Sequence, residues 1–443
     1  MLKRITINGL FGRFNYELSF SNEGIMIITG PNGYGKSTIL RLIYFFSNNR
    51  FQDFLEIRFD SVSFECKDSS FHIKKGKKQF SINSLSLPYL DKKENKERSI
   101  NYSYKDFLTS FLDEESKKLL GVLSNRKSQD ERADSDYFFS VMRDYITQTV
   151  DKQGRKQKLE LFDSTIKQIE MVKAEIGKVH FIQEQRLIEK REDQSRSSSY
   201  GEKKYEYVTV INANSEKLKS ELAELSKKHS SLSNELDSSY VSRLIKSYPQ
   251  KEKAVDDILH ELTKLQLKQE KLKKYGLADI DNPIQNNKLK DEEVEKFSTE
   301  LSIYLDDANT KYSVFESIIN KLELFERIIN QKLLFKKMML SSKNGITVID
   351  NDNNEVALES LSSGEQEIIV LFYKLIFESD VNLLLIDEPE ISLHIAWQKE
   401  ILENLKEIIE YNKSMQIIIA THSPQIIAMN WDLQIDLGGQ YNG

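Results

Sequence analysis

The hydrophobic positions of this chain follow three different periods. Alternation at every second residue over residues 2–7 and 14–20, around the polar turn 8–13, predicts two strands with one face buried. The run Ile25-Met26-Ile27-Ile28, closing at Thr29, has no polar interruption, as expected of a strand covered on both faces. Strand patterns return over residues 56–66 and 78–87, with Lys74-Lys75 and Lys77-Lys78 marking the turn between them. Over residues 104–177 the period lengthens to that of a helix, through Phe107, Phe111, Leu119, Leu120, Ile166, Ile169, Val172 and Ile176. A short strand, Val179-His180-Phe181-Ile182, comes after it, and the charged, serine-rich run 189–204 predicts a loop.

The most regular stretch comes next. Leu218, Leu222, Leu225, His229, Leu232 and Leu236 recur in alternating steps of four and three, and Val255, Ile258, Leu262, Leu265, Gln269 and Leu272 repeat the pattern. This is the spacing of a coiled-coil seam, in which His229 reads as a core polar position. Tyr248-Pro249-Gln250 breaks the helix between the arms, and Gly276 ends the second. Each arm holds only about three heptads, or a few tens of ångströms at ~1.5 Å per residue. A short hairpin docked on itself or on a neighbour is therefore expected. Helical character continues over residues 291–340, through Phe325, Ile328, Ile329 and Leu333. A strand over 346–349, a polar turn over 350–354, an amphipathic helix over 367–377 and two apolar strands, over 383–386 and 416–420, complete the pattern. The fold class is α/β. An N-terminal lobe, residues 1–205, and a C-terminal lobe, residues 341–443, are expected to form one unit interrupted by a helical insertion over 206–340, because 443 residues exceed what one core usually supports.

Composition narrows this picture. Charged residues make up 30% of the chain and hydrophobic ones 39%, enough for a core if long helices are solvated on one face. The net charge of -6 excludes a uniformly basic coat for nucleic acid but leaves a local basic groove open. Cys66 is the single cysteine, which excludes an internal disulfide framework or a CxxC zinc site and fits a reducing, cytoplasmic setting. The first residues alternate like a strand rather than forming a secretory leader, and no window approaches the ~18 apolar residues of a membrane span. No membrane partner is expected.

Two stretches carry chemistry. Gly30-Pro31-Asn32-Gly33-Tyr34-Gly35-Lys36-Ser37-Thr38 fits G-x-x-x-x-G-K-[ST] between a buried strand and an amphipathic helix. Such a loop turns backbone N–H groups of residues such as Asn32, Gly33, Gly35 and Thr38 onto phosphate oxygens, and the helix adds its positive end. Lys36 would neutralise the β/γ-phosphates and Ser37 would hold Mg²⁺. The ligand class is a nucleoside triphosphate, with Arg13 just upstream as a further candidate contact. The second stretch begins with Leu361-Ser362-Ser363-Gly364-Glu365-Gln366, where a serine and a glycine at a helix start form another anion site. Two such sites in one chain suggest that two copies sandwich each nucleotide. Leu383-Leu384-Leu385-Ile386-Asp387-Glu388 then delivers two carboxylates to the end of a buried strand, where ligands of parallel sheets bind. Asp387 would hold Mg²⁺ through water, and Glu388 would orient or deprotonate the attacking water. His422, after the strand over 416–420, could contact the γ-phosphate, and a glutamine directly after the strand over 179–182 is a candidate ligand for Mg²⁺ and the water.

The set GPNGYGKST, LSSGEQ, LLLIDEPE and IIIATHSP, in this order, resembles the ABC-type ATPases of the SMC, RecF-like and OLD-like group. The resemblance covers the start and the last ~100 residues. It implies a P-loop ATPase head with a mixed sheet flanked by helices, working with ATP and Mg²⁺ as a homodimer of heads or a higher homo-oligomer. It further implies Lys36 and Ser37 as Walker A, Asp387 as Walker B, Glu388 as the catalytic glutamate and His422 as the switch histidine. Ser362, Ser363 and Gly364 would be the signature residues that bind the partner copy's γ-phosphate in trans. For the Q-loop the Gln-Arg-Leu element favours Gln185 as the metal ligand, with Gln183 as the alternative. The chain departs from transporters in placing His394 where an aspartate usually follows the D-loop Ser-Leu, and it lacks a zinc hook. Its opening and its Gln-Arg-Leu element look most like the stand-alone PtuA-type ATPase subunits of bacterial anti-phage systems such as Septu, retron-linked systems and PARIS. In those a separate nuclease is the effector, so a nuclease subunit is an expected partner. DNA is a further candidate partner, as in a RecF- or SMC-like repair or clamping ATPase, through Lys268, Lys271, Lys273 and Lys274. The third reading is a scaffold that holds ATP with little turnover.

Overall fold

The computed structural model describes residues 1–21, 23–75, 79–82, 85–88, 139, 143, 146–147, 152–183, 188–192, 205–247, 254–278, 291–378, 381–411 and 415–441. The chain divides into two compact units, a sheet unit of residues 1–184 with 379–443 and a helical unit of residues 185–378. Residues 341–378, expected at the start of a C-terminal lobe, cluster with the helices.

Strands β1 (Leu2–Leu10), β2 (Phe14–Ser19), β3 (Ile25–Thr29), β4 (Ser61–Cys66), β5 (Ser70–Lys75), β6 (Gln79–Ile82), β7 (Leu85–Pro88) and β8 (Val179–Ile182) open the sheet unit. The helical unit holds β9 (Ile188–Glu192), β10 (Tyr205–Thr209), β11 (Lys336–Ser341), β12 (Gly345–Asp350) and β13 (Glu355–Val356). The chain then returns to the sheet unit with β14 (Leu383–Asp387), β15 (Gln416–Ala420) and β16 (Gln434–Asp436).

Two sheets share the core of the sheet unit. The uninterrupted apolar runs β3, β15 and β14 form the centre of a parallel sheet in the order β16-β3-β15-β14-β8, and every residue of β3 and β15 is buried. The alternating runs form an antiparallel sheet, β2-β1-β4-β5-β6-β7. Helix α1 (Lys36–Ser47) lies against the parallel sheet with Ile39, Leu40, Leu42, Ile43 and Phe46 fully buried. A short α2 (Phe51–Glu56) comes next, so the strand expected from residue 56 starts at Ser61. Helix α3 (Lys152–Ile176) covers the antiparallel sheet through Phe162, Ile169, Val172 and Ile176, the last three on the predicted period. Phe107, Phe111, Leu119 and Leu120 lie outside the described residues.

The helical unit contains α4 (Val210–Ser247), α5 (Val255–Lys274), α6 (Asp291–Lys296) and α7 (Ser298–Asn330). The two seam-bearing arms, α4 and α5, are each docked along α7, the neighbour outcome of the hairpin expectation. On one side His229 meets the Phe315 ring at 5.0 Å, and Asp307 pairs with Arg243 at 2.5 and 2.7 Å. On the other, Ile258, Leu262 and Leu265 pack with Val294 and Leu305. Two expectations are corrected. Residues 336–341 are a strand rather than helix, pairing antiparallel with β12 after a turn in which Phe335 takes a left-handed φ of 61°. Within the expected loop 189–204, residues up to 192 belong to β9, paired with β10; residues 193–204 lie outside the described set.

Candidate nucleotide site

Parallel register sets the geometry of the sheet unit's rim. Because Ile386 pairs with Ile419, and Ala420 with both Asp387 and Ile28, the carboxyl ends of β3, β14 and β15 fall level. Three pieces of chain are therefore presented together: the glycine loop after β3, Asp387 and Glu388 at the end of β14, and His422 beyond β15. Gly35 precedes α1 with φ of 93°, a left-handed conformation that a side chain would also fill against Leu10 at 2.7 Å. At Gly33, by contrast, an added Cβ would meet nothing within 4 Å, so only its φ of 85° favours glycine there. Neither a side-chain cap nor an acidic residue occupies the first turn of α1. Its free N–H groups and dipole thus remain available for an anion.

The side chains on this rim touch one another. Ser37 Oγ donates to Asp387 Oδ1 at 2.9 Å. Lys36, only 5% exposed, donates to the Gly30 carbonyl at 3.0 Å and contacts the His422 ring through Nε2, with Nδ1 at 3.4 Å. The same His422 Nε2 lies 3.6 Å from Glu388 Oε1. Burial pulls the Lys36 ammonium below its ordinary value, against the opposing pull of Glu388, Asp387 and Glu390. Burial also pushes Asp387 up, as does Glu388, against the Ser37 hydroxyl and the charges of Arg41 and Lys36. Glu388 has a left-handed backbone, φ 47° and ψ 54°, held by its N–H to the Ala420 carbonyl at 2.8 Å.

The donor set fits the implied ligands. A hydroxyl already aligned on a carboxylate supplies hard oxygen ligands for Mg²⁺, and the loop, helix start and Lys36 supply positive charge for a triphosphate. Asn32 and Gly33 are exposed on the loop, while Thr38 is half-buried in the first turn. Gln183 is exposed directly after β8, and Gln185 lies outside the described residues. Arg13 is exposed on the turn between β1 and β2, where its backbone N–H donates to the Leu10 carbonyl at 3.1 Å.

In the helical unit, Ser362 and Ser363 are exposed at the start of α8 (Ser363–Phe377). Ser362 is the N-cap of a capping box: Glu365 Oε2 accepts both its N–H and its hydroxyl at 2.9 Å, and Ser362 Oγ accepts the Glu365 N–H at 3.4 Å. Lys336 on β11 holds Glu365 at 2.7 and 3.0 Å. Burial raises the Glu365 carboxyl, but Lys336 and the Ser362 N–H and hydroxyl outweigh it and bring it below the ordinary glutamate value. Gln366 fixes the preceding turn by donating to the carbonyls of Glu359 at 3.1 Å and Leu361 at 2.9 Å.

Sequence reasoning passed over Glu390 and Gln398, which bond the segment after β14 to the segment after β15, and Lys336, which sits in the stretch read as helix. Three of the four lysines considered for DNA are used within the helical unit. Lys268 donates to Asn309 at 2.8 Å, Lys271 pairs with Glu323 at 2.9 Å, and Lys274 pairs with Glu326 at 2.6 Å. Among the described residues no cluster of His, Cys, Asp and Glu forms a separate metal site, and no helix is long and apolar enough to cross a membrane.

A phosphate loop after the first parallel strand, with two acids at the end of another, defines a P-loop nucleoside triphosphatase. Residues 1–427 match the AAA ATPase domain family, and the chain belongs to it. It is 25% identical over 168 residues to the Retron Ec83 probable ATPase of Escherichia coli, an alignment that covers 33% of this chain and 30% of the relative. It is 41% identical over 73 residues to the Septu protein PtuA of Bacillus thuringiensis, covering 16% of this chain and 18% of the relative. The chain thus aligns with less than a third of either relative's length. Among solved structures it is similar to the Smc head domain of Pyrococcus furiosus bound to the C-terminal domain of ScpA, with TM-score 0.34, 14% identity, 96% of this chain and 91% of that chain covered. The SMC head domain of Thermotoga maritima gives a TM-score of 0.33 at 12% identity, with 96% and 90% covered.

Proposed function

We propose that the chain is an ATP-hydrolysing regulatory subunit of an anti-phage defence complex, active as a homodimer or higher homo-oligomer, that controls a separate nuclease effector. The observation that carries this reading is that its two candidate anion sites belong to different units. Lys36, Ser37, Asp387, Glu388 and His422 meet in the sheet unit, whereas the exposed cap at Ser362 belongs to the helical unit. An exposed serine cap at a helix start, its hydroxyl now resting on Glu365, suits the γ-phosphate of a nucleotide held by another copy that would take up that hydroxyl. The names of the retron and Septu relatives support the defence setting.

In this reading the loop N–H groups and Lys36 bind the β/γ-phosphates, while Ser37, Asp387 and a Q-loop glutamine, Gln185 or Gln183, hold Mg²⁺. When bound, the ion polarises the phosphoryl oxygens and spreads their charge. Glu388 orients the attacking water or takes its proton, and His422 contacts the γ-phosphate. Ser362, Ser363 and Gly364 of a second copy complete the site, so hydrolysis or nucleotide loss reports head engagement to the effector.

A Glu388→Gln variant tests this directly. It is expected to bind ATP, to accumulate as an ATP-dependent dimer or larger oligomer in light scattering, and to lose phosphate release by about 10²- to 10³-fold. A variant that stays monomeric with ATP and hydrolyses it at the wild-type rate would falsify the reading. Absence of multiple-turnover phosphate release from the wild type would instead favour the scaffold.

A further inference from the structure

Two side chains tie the segment after β14 to the segment that carries His422. Glu390 accepts the Thr421 hydroxyl at 2.8 Å through Oε2 and the His422 backbone N–H at 2.5 Å through Oε1. Gln398, on the short helix α9 (Ile395–Gln398), donates to the carbonyls of Glu390 at 3.2 Å and Leu393 at 2.8 Å. It also accepts the Ser423 hydroxyl at 2.6 Å, and the Ser423 N–H returns to Thr421 Oγ1 at 3.0 Å. Each of residues 421, 422 and 423 is thereby bonded to the stretch 390–398. Thr421 is fully buried and Gln398 is 8% exposed, so water competes little for these bonds.

The chemistry of Glu390 suits holding better than reacting. An ionised carboxylate only accepts, and here each oxygen faces a donor. An amide in its place would turn an NH₂ group toward one of those two donors. Among the described residues no other bond engages the His422 N–H, although the preceding Thr421 N–H donates to the Ile28 carbonyl at 3.0 Å. The His422 ring must nevertheless stay beside Lys36 and Glu388. A histidine presented from a loop keeps such a place only if its main chain is held.

We propose that Glu390 is the positioning residue of His422: its carboxylate holds the Thr421 hydroxyl and the His422 backbone N–H, and Gln398 braces the same loop through Ser423. The proposal rests on the reading of His422 as a group that acts on the γ-phosphate. It assigns Glu390 no contact with nucleotide and no proton.

Phosphate-release kinetics and binding of the fluorescent analogue mant-ATP in the full chain test it, with variants Glu390→Ala, Glu390→Gln, His422→Ala and the double variant Glu390→Ala with His422→Ala. Misplacement of a reacting group by about 1 Å can cost roughly 10²-fold. Both Glu390 variants are therefore expected to lower kcat by about 10- to 100-fold, with KM and the mant-ATP Kd within about threefold of wild type. In the His422→Ala background, Glu390→Ala should lower kcat by less than about twofold further, because a residue acting through the ring has nothing left to act on. Glu390→Gln is isosteric, and retained mant-ATP binding certifies its fold. Wild-type kcat in both Glu390 variants, full additivity in the double variant, or a parallel loss of mant-ATP binding in Glu390→Gln overturns the proposal. Wild-type kcat in His422→Ala overturns the role given to His422 itself, and the positioning role with it.

Discussion

In the sheet unit, the candidate site side chains stand at the ends of strands that are almost wholly buried, and strand register decides where they stand. In the helical unit, the exposed Ser362 and Ser363 stand on the first turn of one helix, and bonds within four residues, with Lys336 added, decide their place. The rim of a parallel sheet is assembled over long range: Lys36 and His422 meet because the β3 and β15 registers agree. A capped helix start is local. The first site should therefore fail with its core, whereas the second should change one bond at a time.

The largest effect should come from the core of the helical unit. Phe315 is fully buried beneath His229, and Phe315→Ala should cost about 3–5 kcal/mol. Hydrogen exchange should then accelerate along α4 and α7, while mant-ATP affinity stays within about twofold of wild type. A large loss of affinity in this variant would show that the nucleotide site depends on the helical core as well as on its own. Next comes Lys36→Ala, which leaves Asp387, Glu388 and Glu390 without their buried cation. Removing one partner of a buried charged group costs about 2–5 kcal/mol, so ATP affinity should fall at least ~30-fold by isothermal titration, with the melting of the helical unit unchanged.

Ser362→Ala removes an N-cap, expected to cost about 1 kcal/mol of helix stability, and should weaken ATP-dependent oligomerisation without changing nucleotide affinity of the monomer. The smallest effect is a pH dependence centred on Glu365. Its folded-state pKa lies below the ordinary 4.5, so its contribution is complete above about that value and is lost as pH falls through the lowered one. Melting temperatures of wild type and Glu365→Gln should differ near neutrality and converge in acid below pH 4.5. A constant difference across that range would show that the charge of Glu365 is not what stabilises the cap.

Much of the sheet unit is legible in the sequence because burial on both faces leaves an unmistakable trace: β3, β14 and β15 are runs with no polar residue between their ends. The residues after such runs can be placed at one rim from topology alone, which covers Lys36, Ser37, Asp387, Glu388 and His422. Glu390 carries no comparable mark, since an acid just past a strand end looks like any surface acid until Thr421 and His422 are seen beside it. The seams of α4 and α5 are equally visible, but an apolar stripe states that something covers it and not what. Their common cover, α7, has an apolar surface too broad to display a single seam, with Ile303, Leu305, Phe315, Ile318, Ile319 and Leu322 all buried. Lys336-Lys337-Met338-Met339-Leu340 reads as helix because lysine, methionine and leucine all favour helices, and it becomes a strand only through its pairing with β12.

The pairing of β3 with β15 and β16 also orders events during synthesis. Ile27 waits for Ile419 and Gln434, about four hundred residues downstream, and β8 has no partner in its sheet until β14 leaves the ribosome. At ~5–20 residues per second the phosphate loop therefore spends tens of seconds tethered to an unpaired apolar strand, while residues 185–378 are already complete. The helical unit is in hand before the nucleotide site exists. A nascent chain of this protein should accordingly acquire its affinity for ATP only near the end of translation, after residues 185–378 have become protease-resistant.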